Sequence, residues 1–232
     1  MVSAAARLVC VVQRAPIRFV VALLLAVCVV VLTVSVLGHG GLTVFDGPVL
    51  DWVIAHRNGT VTVLAKLLSD VGGTLAMLVL AVVAWLVLVW RRRFVAALAV
   101  MVATGGAGVL VVGVKDVVGR VRPPVADHLV TETNQSFPSG HSLGSTVVVG
   151  VVAVAVAAWL RRRAVRAVVL AIAAVFVGAV GISRLYLGVH WPTDIVGGWS
   201  LGGLWLIVCL AVCRTRRVRR LFARNEDSAC NI

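Results

Sequence analysis

The chain has 232 residues, 61% of them hydrophobic and only 13% charged, with a formal net charge of +13, and its mean hydropathy is +1.06. A soluble domain of this length needs far more polar surface, so the composition excludes one and points to an integral membrane protein. The positive charge is no argument for nucleic acid. The arginines cluster beside apolar runs, where they orient helices and meet anionic lipid heads, and no separate soluble region carries a nucleic-acid footprint.

Six apolar runs are each about long enough to cross roughly 30 Å of hydrocarbon. They lie near 17–37, 74–90, 94–114, 142–160, 164–182 and 195–213. Their many valines do not argue for strands, because an uninterrupted apolar run in lipid satisfies its backbone as a helix. The expected fold class is therefore all-α: one polytopic membrane domain over 1–232, with six transmembrane helices in a bundle. Arginines precede the first run, as in a signal peptide. That run is longer than a signal core of roughly 7–15 residues, and no clear A-x-A site follows, so it is read as a retained helix.

Residues 38–73 are moderately polar and hold Asp46, Asp51, His56, Arg57, Lys66 and Asp70. Over 49–68, Leu50, Val53, Ile54, Val61, Leu64, Leu67 and Leu68 recur among polar positions, which predicts a loosely amphipathic segment on the membrane surface, interrupted at Asn58-Gly59. Arginines then fix the orientation. They stand before the first span (Arg7, Arg14, Arg18), between the second and third (Arg91, Arg92, Arg93), between the fourth and fifth (Arg161, Arg162, Arg163, Arg166), and after the sixth from Arg214 onward. Sixteen of the 22 basic residues thereby fall on one side of a six-span layout. The positive-inside rule makes that side cytoplasmic, with both termini, in a plasma (inner) membrane. The tail 214–232, basic and then polar, is expected to be disordered. The five cysteines at 10, 28, 209, 213 and 230 fall inside or within helices, so no exterior disulfide is expected, and Cys209 and Cys213 are read as packing residues. The tryptophans read as an interfacial belt.

Three polar islands break the apolar pattern, all on the side opposite the arginine clusters: Lys115…Arg122-Pro123, Pro138-Ser139-Gly140-His141, and Ser183-Arg184…His190…Asp194. Charge at a membrane boundary is costly unless paired or solvated, which makes these groups functional candidates. Pro123-Pro124 rejects helix, so the first island leaves the membrane as a loop. Singly, its cations are also ordinary snorkelling residues. Arg120 and Asp116 read equally well as solvated, as do Asp127, Glu132, Asn134 and Gln135 in the loop that follows. His39, His56 and His128 carry little chemical signal. Ser139 can cap the fourth span, whose positive N-terminus suits an anion, and Gly140 permits close approach to the backbone. Pro192 suits a first helical turn, placing His190 at the helix mouth and Asp194 within that turn. Asp194 can then accept a proton from one ring nitrogen and leave the other as an attacking lone pair. Three cations suit a phosphate and two histidines suit a nucleophile and a general acid, so the islands point jointly to phosphoryl chemistry.

K-x6-R-P, P-S-G-H and S-R-x5-H-x3-D, in that order, resemble the three-part signature of the type-2 phosphatidic acid phosphatase superfamily, and every motif position is matched. The resemblance implies a six-helix membrane core and hydrolysis of lipid phosphates or diphosphates without metal or other cofactor. In its terms His190 attacks phosphorus and forms a phosphohistidine, and Asp194 orients it. His141 protonates the leaving oxygen and later activates water. Lys115, Arg122, Ser139, Gly140 and Arg184 bind the phosphoryl oxygens. Implied partners are a lipid phosphate substrate (polyprenyl diphosphate, phosphatidic acid or phosphatidylglycerol phosphate) and the bilayer. A phosphotransferase would use the same nucleophile. A vanadate-dependent haloperoxidase shares similar motifs but is expected to be larger and soluble. A non-catalytic transporter should place polar groups near the bilayer midplane, where these spans are apolar.

Overall fold

The structure, a computed structural model, describes residues 4–213, so the tail expected at 214–232 lies outside the described residues. The described residues form eight α-helices and two short 3-10 turns joined by loops, with no strand among them. They are α1 (Ala4–Leu37), α2 (Asp46–Ala55), α3 (Gly59–Val71), α4 (Thr74–Trp90), α5 (Phe94–Val118), α6 (Gly140–Trp159), α7 (Arg163–Tyr186) and α8 (Pro192–Cys213). Five segments are long and apolar enough to cross a membrane: Ile17–Leu37 of α1, and α5, α6, α7 and α8. The pair α3 and α4, bent by 45° at a short break, makes a sixth. The chain is thus a multi-pass membrane protein of the expected class.

The helices begin and end for local reasons. Asn58 caps α3, its Oδ1 accepting the Val61 amide at 2.9 Å, at the interruption expected from the sequence. Two spans run about a turn beyond their apolar limits: α5 to Val118 rather than 114, and α7 to Tyr186 rather than 182. Lys115 and Arg184 therefore lie inside last turns, where their charge meets the negative end of the helix. What stops α5 is Gly119, in the left-handed region at φ 61°, its amide bonded to the Lys115 carbonyl, and not Pro123. Ser139 caps α6, as its sequence suggested, with Oγ accepting the Ser142 amide at 3.4 Å.

Packing centres on α6 and α8. A Cβ at Gly198 would lie 2.8 Å from the Ser139 carbonyl oxygen, and one at Gly202 would lie 2.9 Å from that of Leu143. The two glycines, one helical turn apart, are therefore what allow these backbones to touch. The contact brings the start of α8 against the start of α6: the Ser139 amide donates to the Asp194 carbonyl at 3.0 Å. Around this pair an apolar core joins α4, α5, α6 and α8 through small and β-branched side chains, among them Ala81, Ala103, Val147 and Cys209. Residues 38–73 do more than cover a surface. Asp46, Leu50, Ala65 and Ser69 are buried, and α3 packs on α7.

Candidate active site

All three islands meet at one end of the bundle. The loop 119–139 folds back over that end, and its polar residues pair with the island cations. Asn134 Oδ1 accepts from Lys115 Nζ at 3.1 Å and from Arg122 Nη2 at 2.5 Å, and the Gln135 carbonyl accepts a second bond from Lys115. The Glu132 carboxylate lies between Arg184, with which its Oε1 pairs, and Arg122, whose Nη2 is 3.4 Å from its Oε2. Arg184 also donates to Ser69 Oγ at 2.6 Å, while its buried Nε has no partner. A buried donor without a partner is uncommon, and here it belongs to a motif cation.

His190 is 1% exposed. Its Nδ1 is 3.4 Å from both Asp194 Oδ2 and Ser136 Oγ, and its Nε2 is 3.3 Å from Arg122 Nη1. With Nδ1–H directed at the carboxylate, the lone pair sits on Nε2, on the side of the cations. Burial lowers the ring from its ordinary value to about 4; Asp194 pulls it up, and Arg122 and Arg184 push it further down. His190 is therefore neutral near pH 7, with a lone pair free on one ring nitrogen. The Asp194 carboxylate is fully buried and saturated. Oδ2 also accepts from Ser136 Oγ at 2.5 Å and from the Trp191 amide at 2.9 Å, and Oδ1 accepts from Arg120 Nη1 at 2.5 Å.

His141, half-buried on the first turn of α6, has its Nε2 3.6 Å from where a Cβ on Gly73 would stand, at the bend between α3 and α4. Arg184, Glu132, His190 and Arg122 all lie near enough to act on its charge. Gly140 is half-buried beside Val111. Ser139 is fully buried, its amide and Oγ used at the α6–α8 contact and the cap, so its side chain sits beneath the site and not on its surface. Among the described residues no group of three or more His, Cys, Asp or Glu is placed to share a metal ion.

Several partners of this set lie outside the motifs, and of these Arg120, Glu132, Asn134 and Gln135 read in the sequence as solvated residues. Arg120 and Asp46 stand behind Asp194. Glu132, Asn134 and Gln135 hold the motif cations. Ser136, two residues before Pro138, bonds Asp194. Asp116 is exposed, as its sequence allowed, and His128 caps the Pro123 carbonyl at 3.0 Å. Only Arg120 carried a local signal: like the motif cations, it lies away from the arginine clusters.

The motifs, the six-span bundle and their meeting at one end define a family of membrane proteins. The profile of the PAP2 superfamily matches residues 94–217, and the chain belongs to that superfamily. It is 46% identical over 91 residues to phosphatidylglycerophosphatase B of Bacillus subtilis, a stretch covering 38% of this chain and 43% of that protein. It is 35% identical over 108 residues to decaprenylphosphoryl-5-phosphoribose phosphatase of Mycobacterium tuberculosis, covering 44% and 54%. The chain thus spans about half the length, or less, of these curated relatives. The crystal structure of a transmembrane PAP2-type phosphatidylglycerolphosphate phosphatase from Bacillus subtilis superposes with a TM-score of 0.77 at 28% identity, over 84% of this chain and 98% of that one.

Proposed function

We propose that residues 1–232 form one six-span lipid phosphate or diphosphate phosphatase that works through a phosphohistidine at the outer face of the membrane. One observation carries this reading: buried His190 has Nδ1 within 3.4 Å of Asp194 Oδ2 while its Nε2 faces Arg122 Nη1 at 3.3 Å. The Nε2 lone pair attacks phosphorus, an N–P bond forms, and the bond from phosphorus to the leaving oxygen breaks. His141 gives that oxygen its proton. His141 then takes a proton from water as the water attacks phosphorus, the N–P bond returns its electron pair to His190, and inorganic phosphate leaves. Lys115, Arg122 and Arg184 stabilise the charge that develops on the phosphoryl oxygens, with the unpartnered Arg184 Nε the donor best placed to gain a bond.

A lipid substrate is supported by an apolar cavity of about 430 Å³ that starts beside Gly140 and runs between α4, α5 and α6 past Met77, Thr104 and Val148. A second cavity of about 400 Å³ shares Leu78, Thr104 and Gly105 with it and continues to Trp85. A Cβ at Gly105, Gly108 or Gly144 would meet nothing within 4 Å, so this wall is open along the depth of the bundle, as a hydrocarbon chain requires.

The test is phosphate release from phosphatidylglycerol phosphate, phosphatidic acid and a polyprenyl diphosphate by the purified protein in detergent, with EDTA present. Hydrolysis of at least one, inhibited by vanadate, is expected. Loss of all activity in EDTA with recovery on adding Mg²⁺ would overturn the metal-free mechanism. The face is tested separately, with the five native cysteines replaced. Cysteine at Val125, which is 81% exposed, should react with an impermeant thiol reagent in intact cells once any outer membrane is opened. Cysteine at Arg162 should react only after the inner membrane is breached, and the reverse pattern would move the chemistry to the cytoplasmic face.

A further inference from the structure

Arg120 and Asp46 belong to none of the three motifs, yet they are bonded in series to the carboxylate behind His190. Arg120 Nη1 donates to Asp194 Oδ1 at 2.5 Å, and its Nη2 donates to Asp46 Oδ2 at 2.6 Å. Asp46, 3% exposed at the start of α2, also accepts from the Thr193 amide through Oδ1 at 2.9 Å and from Thr193 Oγ1 through Oδ2 at 2.6 Å. Arg120 further bonds Thr193 Oγ1 at 2.7 Å and lies 5.7 Å from the centre of the Trp191 ring. The charges therefore alternate outward from His190: Asp194 negative, Arg120 positive, Asp46 negative.

This arrangement does two things. Because Arg120 takes Oδ1, the other oxygen is left for His190 Nδ1, Ser136 and the Trp191 amide, so the carboxylate cannot rotate without breaking a buried bond. It also divides charge. Arg120 offsets part of the attraction that Asp194 exerts on a protonated His190, and Asp46 offsets part of Arg120. We propose that Arg120 and Asp46 are positioning residues for the phosphoryl-transfer reaction, which fix the Asp194 carboxylate against His190 and, through their opposed charges, set how readily that ring accepts a proton. The inference rests on the reading of His190 as the nucleophile. A pair that merely ties α2 to α8 would stabilise the fold without touching the proton affinity of His190.

The sign of each substitution follows from Coulomb's law. The charged groups that act directly on His190 are Asp194 on α8, Arg122 in the loop 119–139 and Arg184 on α7, with His141 on α6 also close; Arg120 in the loop and Asp46 on α2 reach it through Asp194, and Lys115 on α5, Glu132 in the loop and Asp70 on α3 act on those cations and carboxylates. Removing Arg120 deletes a positive charge and should raise the His190 titration midpoint. Removing Asp46 deletes a negative charge and should lower it. Opposite displacements from two residues bonded to each other are hard to obtain from loosened packing.

The experiment is a ¹⁵N-histidine NMR titration of the full chain in detergent, with the His190 signals assigned by their loss in His190→Gln, beside the pH profile of kcat/KM. Arg120→Gln should raise the midpoint by about one pH unit. Arg120→Lys, which keeps the charge but cannot bond both carboxylates in the same way, should fall between Arg120→Gln and wild type and recover most of kcat. Asp46→Asn should lie below wild type, and the acid limb of kcat/KM should follow the same order. Arg120→Gln leaves two buried carboxylates unpaired and is the variant most at risk of not folding. In that case the comparison of Arg120→Lys with Asp46→Asn decides. Equal midpoints in these variants, or displacement in the same direction, would overturn the proposal even if turnover fell. If the midpoints move as expected but even the wild type releases no phosphate from any lipid, the functional reading falls and the control of His190 by this pair stands.

Discussion

Arginine plays two different parts at the two ends of this bundle. At the end where the motifs meet, Arg120, Arg122 and Arg184 are at most slightly exposed, and each is paired with a carboxylate. At the other end, Arg91, Arg92, Arg93, Arg161, Arg162, Arg163 and Arg166 are exposed, and none is in an ion pair among the described residues. Several even gather round a cavity of about 550 Å³ with no carboxylate in its lining. Solvated charge of this kind costs little and orients helices. Desolvated charge is expensive unless partners hold it, which is the condition that Asp46, Asp194 and Glu132 meet at the motif end. The contrast predicts that substitutions of one residue type will differ by orders of magnitude in effect, according to the end at which they are made.

The sharpest test of the motif end is His190→Ala. It should remove turnover by a factor of about 10³ or more, roughly 4 kcal/mol of barrier, and no acid-labile phosphoenzyme should form. Retention of more than about a tenth of wild-type kcat, a loss of only ~1.4 kcal/mol, would show that another group attacks. Arg184→Gln comes next, because its unpartnered Nε makes it the cation with most to gain in the transition state. A loss of about 10²- to 10³-fold in kcat is expected, by analogy with removing one preorganised donor. Arg122→Gln should be of similar size and should also displace the acid limb of kcat/KM. His190 is held near 4 in part by Arg122, so removing that positive charge strengthens proton binding and the limb moves to higher pH. A limb that stays in place would separate Arg122 from His190 electrostatically.

The sequence made the spans and the motif residues readable and hid most of what the motif residues touch. Five of the span limits agree to within about a turn because hydrocarbon thickness imposes a length and an uninterrupted apolar run satisfies it; the second differs, because α4 is too short alone and the structure completes it with α3, back to Gly59, which the sequence reading places on the membrane surface. The motif residues stand out because they lie at the span ends opposite the arginine clusters, where basic residues are otherwise scarce. Glu132, Asn134 and Gln135 gave no such contrast: they sit in a polar loop, where solvation is the natural reading, and only the folding of 119–139 over the helix ends turns them into partners. Asp46 and Arg120 are 74 positions apart, and no local pattern announces a pair at that separation. The spacing Gly198-x3-Gly202 is, by contrast, legible in the sequence. Small residues one turn apart are the mark of a close helix contact, and this one brings Asp194 to Ser139.

A smaller effect is expected at Glu132. Its carboxylate stands between Arg122 and Arg184, where a phosphoryl oxygen would need to be. Glu132→Gln removes a competing anion, so vanadate should bind several-fold tighter, with the larger change in affinity and not in kcat. Unchanged or weaker vanadate binding would mean that the carboxylate holds the two guanidiniums in place and does not merely occupy their site.

The smallest effect belongs to the opposite end, and it is the one on which the comparison depends. Arg91→Gln and Arg161→Gln remove exposed guanidiniums that no carboxylate holds, so no buried partner is stranded and no donor is lost from the site. A charge screened by solvent over the length of the bundle contributes next to nothing at His190, given a Debye length of about 8 Å at physiological ionic strength. Each variant should retain kcat/KM within about twofold in detergent, against the hundredfold or greater losses at Arg122 and Arg184. Such residues should instead show their importance in the membrane, where removing several together weakens the bias that sets orientation. The double variant should therefore be measured twice, for turnover in detergent and for labelling of a cysteine at Val125 in cells. A large loss of turnover in detergent would mean that the two ends communicate through the helices, and that burial and pairing do not by themselves separate the chemical arginines from the topological ones.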